Sequence, residues 1–281
     1  MSRHKERKES SIYNLRVFHN WVKRELITQA ANYLEENYNI RNPKLLDLAV
    51  GKGGDIGKFF DNRVTNMVGF DIDNNSIMEA KKRYEQMKRD IMRKGGPSLN
   101  YRFYVIDLSK KENLSEINIL IRGMKFDIVS CQFAIHYFFK NEDSLENLIK
   151  IAGSYINKNG FFIGTTVNGD MLKKMFVDTK IIETDLFKIE NMSSQLDQEY
   201  GNTYLVSLGS KDDKDHYFVN KPSEEYLVNL EVLKRVCEKY NLMYIGSINF
   251  EEWYKSYNKE ILSKNEKEYS FLNFSFVFMK K

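Results

Sequence analysis

The chain has 281 residues, 42% apolar and 14% aromatic, enough to bury one large α/β core with a modest insertion. Its 43 Lys and Arg stand against 39 Asp and Glu, and the resulting +4 is too mild to mark a nucleic-acid binder by itself. Cys131 and Cys237 lie far apart without metal-ligand neighbours, no apolar run has bilayer-spanning length, and the charged N-terminus carries no signal-like segment; these features argue against a disulfide framework, a zinc site and a membrane protein, and predict a soluble intracellular one.

Ile12, Leu15, Phe18, Val22, Leu26, Ala30 and Tyr33 recur at spacings of three and four, which predicts a helix over 10–38 with these residues on one face. Asn42-Pro43 ends it. A strand over 45–50 then runs into the turn Gly51-Lys52-Gly53-Gly54 and a helix through Phe60, and a second strand, 67–70, ends in Asp71 before a helix over 76–93. The basic run Lys81-Lys82-Arg83 with Lys88, Arg89, Arg93 and Lys94 reads as that helix's solvated face, Arg83 excepted. Gly95-Gly96-Pro97 breaks the helix, and a third strand, 101–106, ends in Asp107. A fourth strand over 126–131, a helix over 145–156, the turn Lys158-Asn159-Gly160 and a fifth strand over 161–164 follow. Residues 181–219 mix β-like runs (203–206 and 216–219) with polar turns, as an inserted hairpin region or lid would. A helix over 223–240, a strand over 242–248, a helix near Trp253 and a strand over 271–279 complete the pattern.

Strands alternating with helices at this pace predict parallel βαβ units in one covered sheet. The expected organisation is a single domain over 1–281, with an N-terminal helical extension at 1–40 and an inserted β-rich lid at 175–222. Ligands of such sheets sit beyond the carboxyl ends of the strands. Three features fall there. Glycines at 51, 53 and 54 let the backbone approach a ligand, although the same loop also serves as a plain strand–helix turn. Asp71, about twenty residues on, suits a carboxylate holding both hydroxyls of a ribose. Asp107 is placed either to reach an adenine amino group or to cap the turn into Leu108-Ser109. Together they describe an adenosine pocket with no sign of a dinucleotide's second half.

Asp47-Leu48-Ala49-Val50-Gly51-Lys52-Gly53-Gly54-Asp55 resembles motif I of S-adenosylmethionine methyltransferases, and its Lys-Gly-Gly-Asp end is similar to the mRNA cap guanine-N7 methyltransferases. Cys131-Gln132-Phe133 followed by His136-Tyr137 resembles that family's signature; Asn14 through Lys23 resembles its entry helix; Gly164-Thr165-Thr166 with Asn168, and Glu224 to Val228, are similar to further segments. Ala49, Val50, His19 and Val167 depart from the family's Gly, Cys, Asn and Pro.

The resemblance implies a class I methyltransferase, Rossmann-like α/β fold, its sheet mostly parallel with an antiparallel C-terminal strand. It implies that Lys23, Ala49, Gly51, Asp71, Asp107, Gln132 and Tyr137 surround S-adenosylmethionine, and S-adenosylhomocysteine after transfer, with no metal. Asn20, Lys52, Lys58, Arg83, His136 and Glu225 would contact a GpppN cap on RNA. In this reading Glu225 accepts from guanine N1–H and N2–H, the cations converge on the triphosphate, and no residue is a general base because guanine N7 already carries a free lone pair. The family's aromatic near the C-terminus has no assigned counterpart, since Asn273 falls near its position between Phe271 and Phe274. The resemblance further implies a domain of a larger viral capping protein, fused or associated with triphosphatase and guanylyltransferase domains. Such a protein works in the cytoplasm if viral and in the nucleus if cellular. Two alternatives stay open: a methyltransferase of another substrate, and a non-catalytic RNA-binding or stimulatory subunit.

Overall fold

The computed structural model describes residues 10–209 and 222–281. The chain opens with α1 (Tyr13–Tyr38), which buries Leu15, Phe18, Val22, Leu26, Ala30 and Leu34 and ends at Asn39 in a left-handed cap, φ 57°. The predicted face drifts by one residue at its end: Tyr33 is 44% exposed, and Leu34, a full i+4 step from Ala30, takes the core position. β1 (Leu45–Asp47) is shorter than the predicted 45–50. The Val50 N–H leaves the strand direction for the carbonyl of Phe70, and the chain folds into the glycine loop.

α2 (Ile56–Asp61), β2 (Asn66–Asp71), α3 (Asn74–Arg93), β3 (Asn100–Val105), α4 (Leu114–Ile121) and β4 (Phe126–Gln132) follow. Next come α5 (Ile135–Phe138), α6 (Glu142–Tyr155), β5 (Ile156–Val167) and α7 (Gly169–Met175). The predicted turn at 158–160 is a kink within β5: Asn159 takes φ 65° and the pairing with β4 shifts register there.

β6 (Ile181–Glu183), β7 (Phe187–Asn191), β8 (Thr203–Leu208) and β9 (Ser223–Tyr226) make a separate four-stranded antiparallel sheet, which extends past the expected insertion boundary at 222 to Tyr226. The predicted strand at 216–219 lies outside the described residues. The single helix predicted over 223–240 is corrected to a strand and a helix. Ser223–Tyr226 pairs with β8, and Asn229 then accepts the N–H groups of Glu231 and Val232 to start α8 (Leu230–Lys239). β10 (Leu242–Asn249), α9 (Phe250–Ser256), α10 (Lys264–Ser270) and β11 (Asn273–Lys280) close the chain. α4, α5, α7 and α10 are not among the expected helices. All four are short, and α10 owes its start to a Ser263–Glu266 capping box.

The central sheet has seven strands in the order β10-β11-β5-β4-β1-β2-β3. β11 runs antiparallel to both neighbours, while the β5-β4-β1-β2-β3 ladders are parallel. Strand alternation splits the core in two: Leu46, Val68, Val129 and Phe162 pack on one face, Leu45, Met67, Ile128 and Ile163 on the other. A third cluster ties Ile189, Tyr204 and Val206 of the small sheet to Leu15 of α1 and Val167 of β5, which seats that sheet over the carboxyl end of the large one. Among the described residues no helix is long and apolar enough to cross a membrane.

Candidate active site

The carboxyl ends of β1 to β4 carry Ala49, Gly51, Asp71, Asp107 and Gln132 along one edge of the sheet, with the change of strand order at β1. Asp71 is fixed by backbone: its Oδ2 accepts from Gly51 N–H at 2.7 Å and its Oδ1 from Asp73 N–H at 2.9 Å. Gly53 requires glycine, since it sits at φ +70° and a Cβ there would lie 3.1 Å from Ala80 Cα. Val50 faces inward against Gly69 and the core, so its departure from the family pattern is a packing residue. Asp47 is buried and accepts from Ala49 N–H at 3.3 Å; burial, with Asp55 nearby, pushes its carboxyl up to about 8.

Asp107 and Gln132 are more occupied than their assigned roles suggest. Asp107 Oδ1 accepts both the N–H and the hydroxyl of Ser109, at 2.9 and 2.6 Å, which is the local turn left open as its alternative. Gln132 donates to Ser130 Oγ at 3.1 Å and accepts from Thr165 Oγ1 at 3.0 Å. Two residues absent from the sequence reading stand beside these acids: Ile72 is 67% and Val105 45% exposed at the ends of β2 and β3. Exposed apolar side chains flanking a strand-end carboxylate are the signal that reveals them.

A second set of residues meets between α1, α5, the small sheet and α10, around a cavity of about 290 Å³. It is lined by Asn20, Lys23, His136, Tyr137 and Glu225, all singled out from sequence, and by Arg16, Phe133, Tyr269 and Asn273. Lys23 and Lys58 both grip Asp55, at 2.8 and 2.7 Å, and Lys58 also donates to Asn20 Oδ1 at 2.8 Å. Burial pushes Asp55 up, but the two lysines outweigh it and hold the carboxyl at about 2; burial pushes Lys58 down. The Lys58 ammonium thus points into the protein instead of toward a phosphate.

His136 is buried, and burial lowers its pKa against the opposing pull of Glu225, keeping the ring neutral. Its Nδ1 lies 3.5 Å from Thr166 Oγ1. Its Nε2 has no hydrogen-bond partner among the described residues, the Glu225 Oε2 being 3.7 Å away. Glu225 itself accepts from Tyr204 OH at 2.6 Å. Tyr137 packs against the His136 ring at 4.2 Å and reaches Ser223 Oγ at 3.2 Å. His19 is buried at the wall, stacked on Phe133 at 5.3 Å and bonded to Ser270 Oγ at 2.8 Å.

Lys52 stays on the glycine loop, close enough to Asp73 to act on its charge. Arg83 is not brought to this cavity: it lines a separate groove of about 580 Å³ between α2 and α3, with Phe60, Asp61, Met87 and Asp90. Near the unassigned C-terminal aromatic position, a ring does line the cavity. Asn273 donates to the carbonyls of Tyr269 and Ser270, at 3.1 and 3.0 Å, and the ring that faces the cavity is Tyr269, one turn earlier. No sequence signal marked Tyr269, because α10 went unread. Phe133 was legible as part of the Cys-Gln-Phe run, and its φ of 51° puts it in the left-handed region that a non-glycine residue adopts only under constraint.

The mRNA (guanine-N(7))-methyltransferase domain family matches residues 1–273. An mRNA cap guanine-N(7) methyltransferase of Caenorhabditis briggsae is 31% identical over 258 residues, covering 88% of this chain and 63% of the relative. A probable mRNA-capping enzyme of Acanthamoeba polyphaga mimivirus is 28% identical over 292 residues, covering 96% of this chain and 24% of its own. The chain therefore spans less than two thirds of the length of these curated relatives. An S-adenosylmethionine-dependent methyltransferase from Clostridium acetobutylicum shares the fold, with a TM-score of 0.54 at 16% identity over 90% of this chain and 91% of that one.

Proposed function

Since the chain belongs to the mRNA (guanine-N(7))-methyltransferase family, we propose that it transfers the methyl of S-adenosylmethionine to N7 of guanine in a GpppN RNA cap. The observation that carries this reading is the unpartnered, buried His136 Nε2 beside the Glu225 carboxylate, 3.7 Å away, on the wall of a cavity that Tyr137 and Lys23 also line. A purine edge presenting donors and an acceptor together is what this pair lacks. Glu225 accepts from guanine N1–H and N2–H, and His136 offers its ring N–H to a neighbouring acceptor.

The strand-end residues fit the cofactor. Asp71 is already aimed by the glycine-loop backbone toward the place of a ribose, and Ile72 and Val105 present apolar surface for an adenine. S-adenosylmethionine supplies an electrophilic methyl on a cationic sulfur. The protein's part is alignment: α1 and α5 set guanine N7 in line with that methyl, where positioning contributes on the order of 7–11 kcal/mol. N7 is unprotonated at neutral pH, so the neutral His136 serves as a holding group and no residue removes a proton. Lys52, on the glycine loop, is the cation assigned to the triphosphate. The mimivirus relative is a longer probable mRNA-capping enzyme, of which this chain covers 24%, and that supports work beside further capping domains.

The test is methyl transfer by the isolated chain to GpppA, capped RNA, GTP and uncapped RNA, with the product identified as 7-methylguanine. Cofactor binding without transfer to any capped substrate sinks the enzymatic reading and leaves a binding subunit. Transfer to another acceptor in preference to the cap sinks the substrate assignment.

A further inference from the structure

Glu225 is usable as a guanine reader only while it is a pure acceptor. A protonated carboxyl offers one donor and one acceptor, and that pair matches adenine, whose N1 accepts and whose amino group donates. Guanine reading also needs the acceptors aimed at the base, and the Glu225 carboxyl is buried beside His136, Tyr137, Tyr204 and Tyr269.

One contact fixes how the carboxyl points. Tyr204 and Glu225 are register partners on β8 and β9, the Tyr204 ring is 1% exposed, and its hydroxyl lies 2.6 Å from Glu225 Oε2. Burial and the adjacent carboxylate hold the phenol in its protonated form, and its hydroxyl donates to Oε2. With Oε2 so engaged, the carboxylate cannot turn without losing that bond, and its remaining lone pairs are held toward the cavity that Glu225 lines. Tyr204 comes from the inserted sheet and its side chain is locked by the cluster around Ile189, Val206 and Leu15, so it has little freedom to turn away.

We propose that Tyr204 is a positioning residue that gives the site its preference for guanine over adenine, by holding the Glu225 carboxylate in place and aiming its free lone pairs into the cavity. This rests on Glu225 reading the base, as proposed above, and assigns the specificity to a residue that does not touch it.

Calorimetric titration of GpppA and ApppA into wild type, Tyr204→Phe, Glu225→Ala and the double variant tests it, together with kcat and KM for GpppA. Tyr204→Phe keeps the ring and removes only the hydroxyl. The preference for GpppA over ApppA should fall about tenfold, as expected for a lost hydrogen bond to a charged group. KM should rise in step while kcat stays within about twofold and cofactor affinity is unchanged. In the Glu225→Ala background the same change should have no further effect on the preference. An undiminished preference in Tyr204→Phe, where Glu225→Ala loses it, overturns the proposal. So does an equal loss from Tyr204→Phe in both backgrounds, the mark of a general structural effect. Wild-type preference in Glu225→Ala overturns the base-reading role itself, and this proposal with it. Glu225→Gln gives a readout independent of the phenylalanine variant's folding. With the amide oxygen held by Tyr204, its NH₂ faces the base and ApppA should bind better than GpppA; retained guanine preference overturns the proposal.

Discussion

The two sides of the cleft, proposed above for the cofactor and for guanine, are built by different means. On the cofactor side each acid is answered by nearby backbone, Asp71 by Gly51 and Asp73, Asp107 by Ser109. On the guanine side the partners come from across the chain: His136 faces Glu225 of the small sheet, and His19 and the Leu15 N–H of α1 bond to Ser270 and Glu266, each 251 residues away. The first side is a property of βα turns that any such sheet repeats. The second exists only when α1, the inserted sheet and α10 have all docked, so its geometry should fail earlier under perturbation.

Asp55 is where the sides join, and removing it should have the largest effect. Asp55→Ala leaves Lys23 and Lys58 facing each other in a partly buried space, with side-chain exposures of 15% and 8%. Removing one partner of such a cluster costs about 3 kcal/mol. Denaturant unfolding should show the loss, and both cofactor and GpppA affinities should drop, since Lys23 lines the cavity and Lys58 holds Asn20. If only one ligand weakens, the two sides are energetically separate and the joint is cosmetic.

Glu266 tests the guanine side alone. It closes the α10 capping box and also accepts the Leu15 N–H at 3.0 Å. Glu266→Ala should destabilise by about 2 kcal/mol, from a lost cap and an orphaned backbone donor, and weaken GpppA binding several-fold. Cofactor affinity should move less than about twofold. Equal weakening of both ligands would show that the sheet edge also depends on α10.

The same contrast explains what could be read from sequence. The glycine loop, Asp71 and the strand-end positions follow from local spacing and short-range turn chemistry, and the sheet's order places them automatically. Glu225 was found by a motif but set on a helix: the run from Ser223 reads as helical until the pairing of Tyr204 with Glu225 decides for a strand. Tyr269 had no motif, and reaches the cavity only through a seven-residue helix that the periodicity of so short a run cannot reveal. Arg83 shows the opposite case, a basic residue whose helix is in the expected place while its side chain lines another groove.

Asp71→Ala isolates the cofactor side. It removes the acceptor of Gly51 N–H as well as the carboxylate proposed for the ribose, and cofactor affinity by calorimetry should fall about tenfold. Stability and GpppA binding to the free protein should change little. An unaltered cofactor isotherm would take Asp71 out of the site.

The smallest expected change, per pH unit, sharpens the comparison further, because it asks what the cofactor side holds in check when empty of ligand. Asp47 is pushed up to about 8 by burial first and then by Asp55 and Asp71, with Lys23 and the Ala49 N–H only partly opposing. In the unfolded chain this carboxyl ionises near its ordinary value of 3.8. Between about pH 4 and 8 the folded state therefore holds a proton that the unfolded state has released, and stability falls as pH rises, by at most about 1.4 kcal/mol per unit. Asp47→Asn keeps an oxygen for the Ala49 N–H and has no proton to lose. Its unfolding free energy should gain on wild type steadily from pH 5 to pH 8, when both are measured by urea titration in the same buffers. Parallel curves would mean that Asp47 is already ionised in the native protein, with Lys23 shared between it and Asp55, and the cofactor edge would then be as charge-balanced as the guanine pocket.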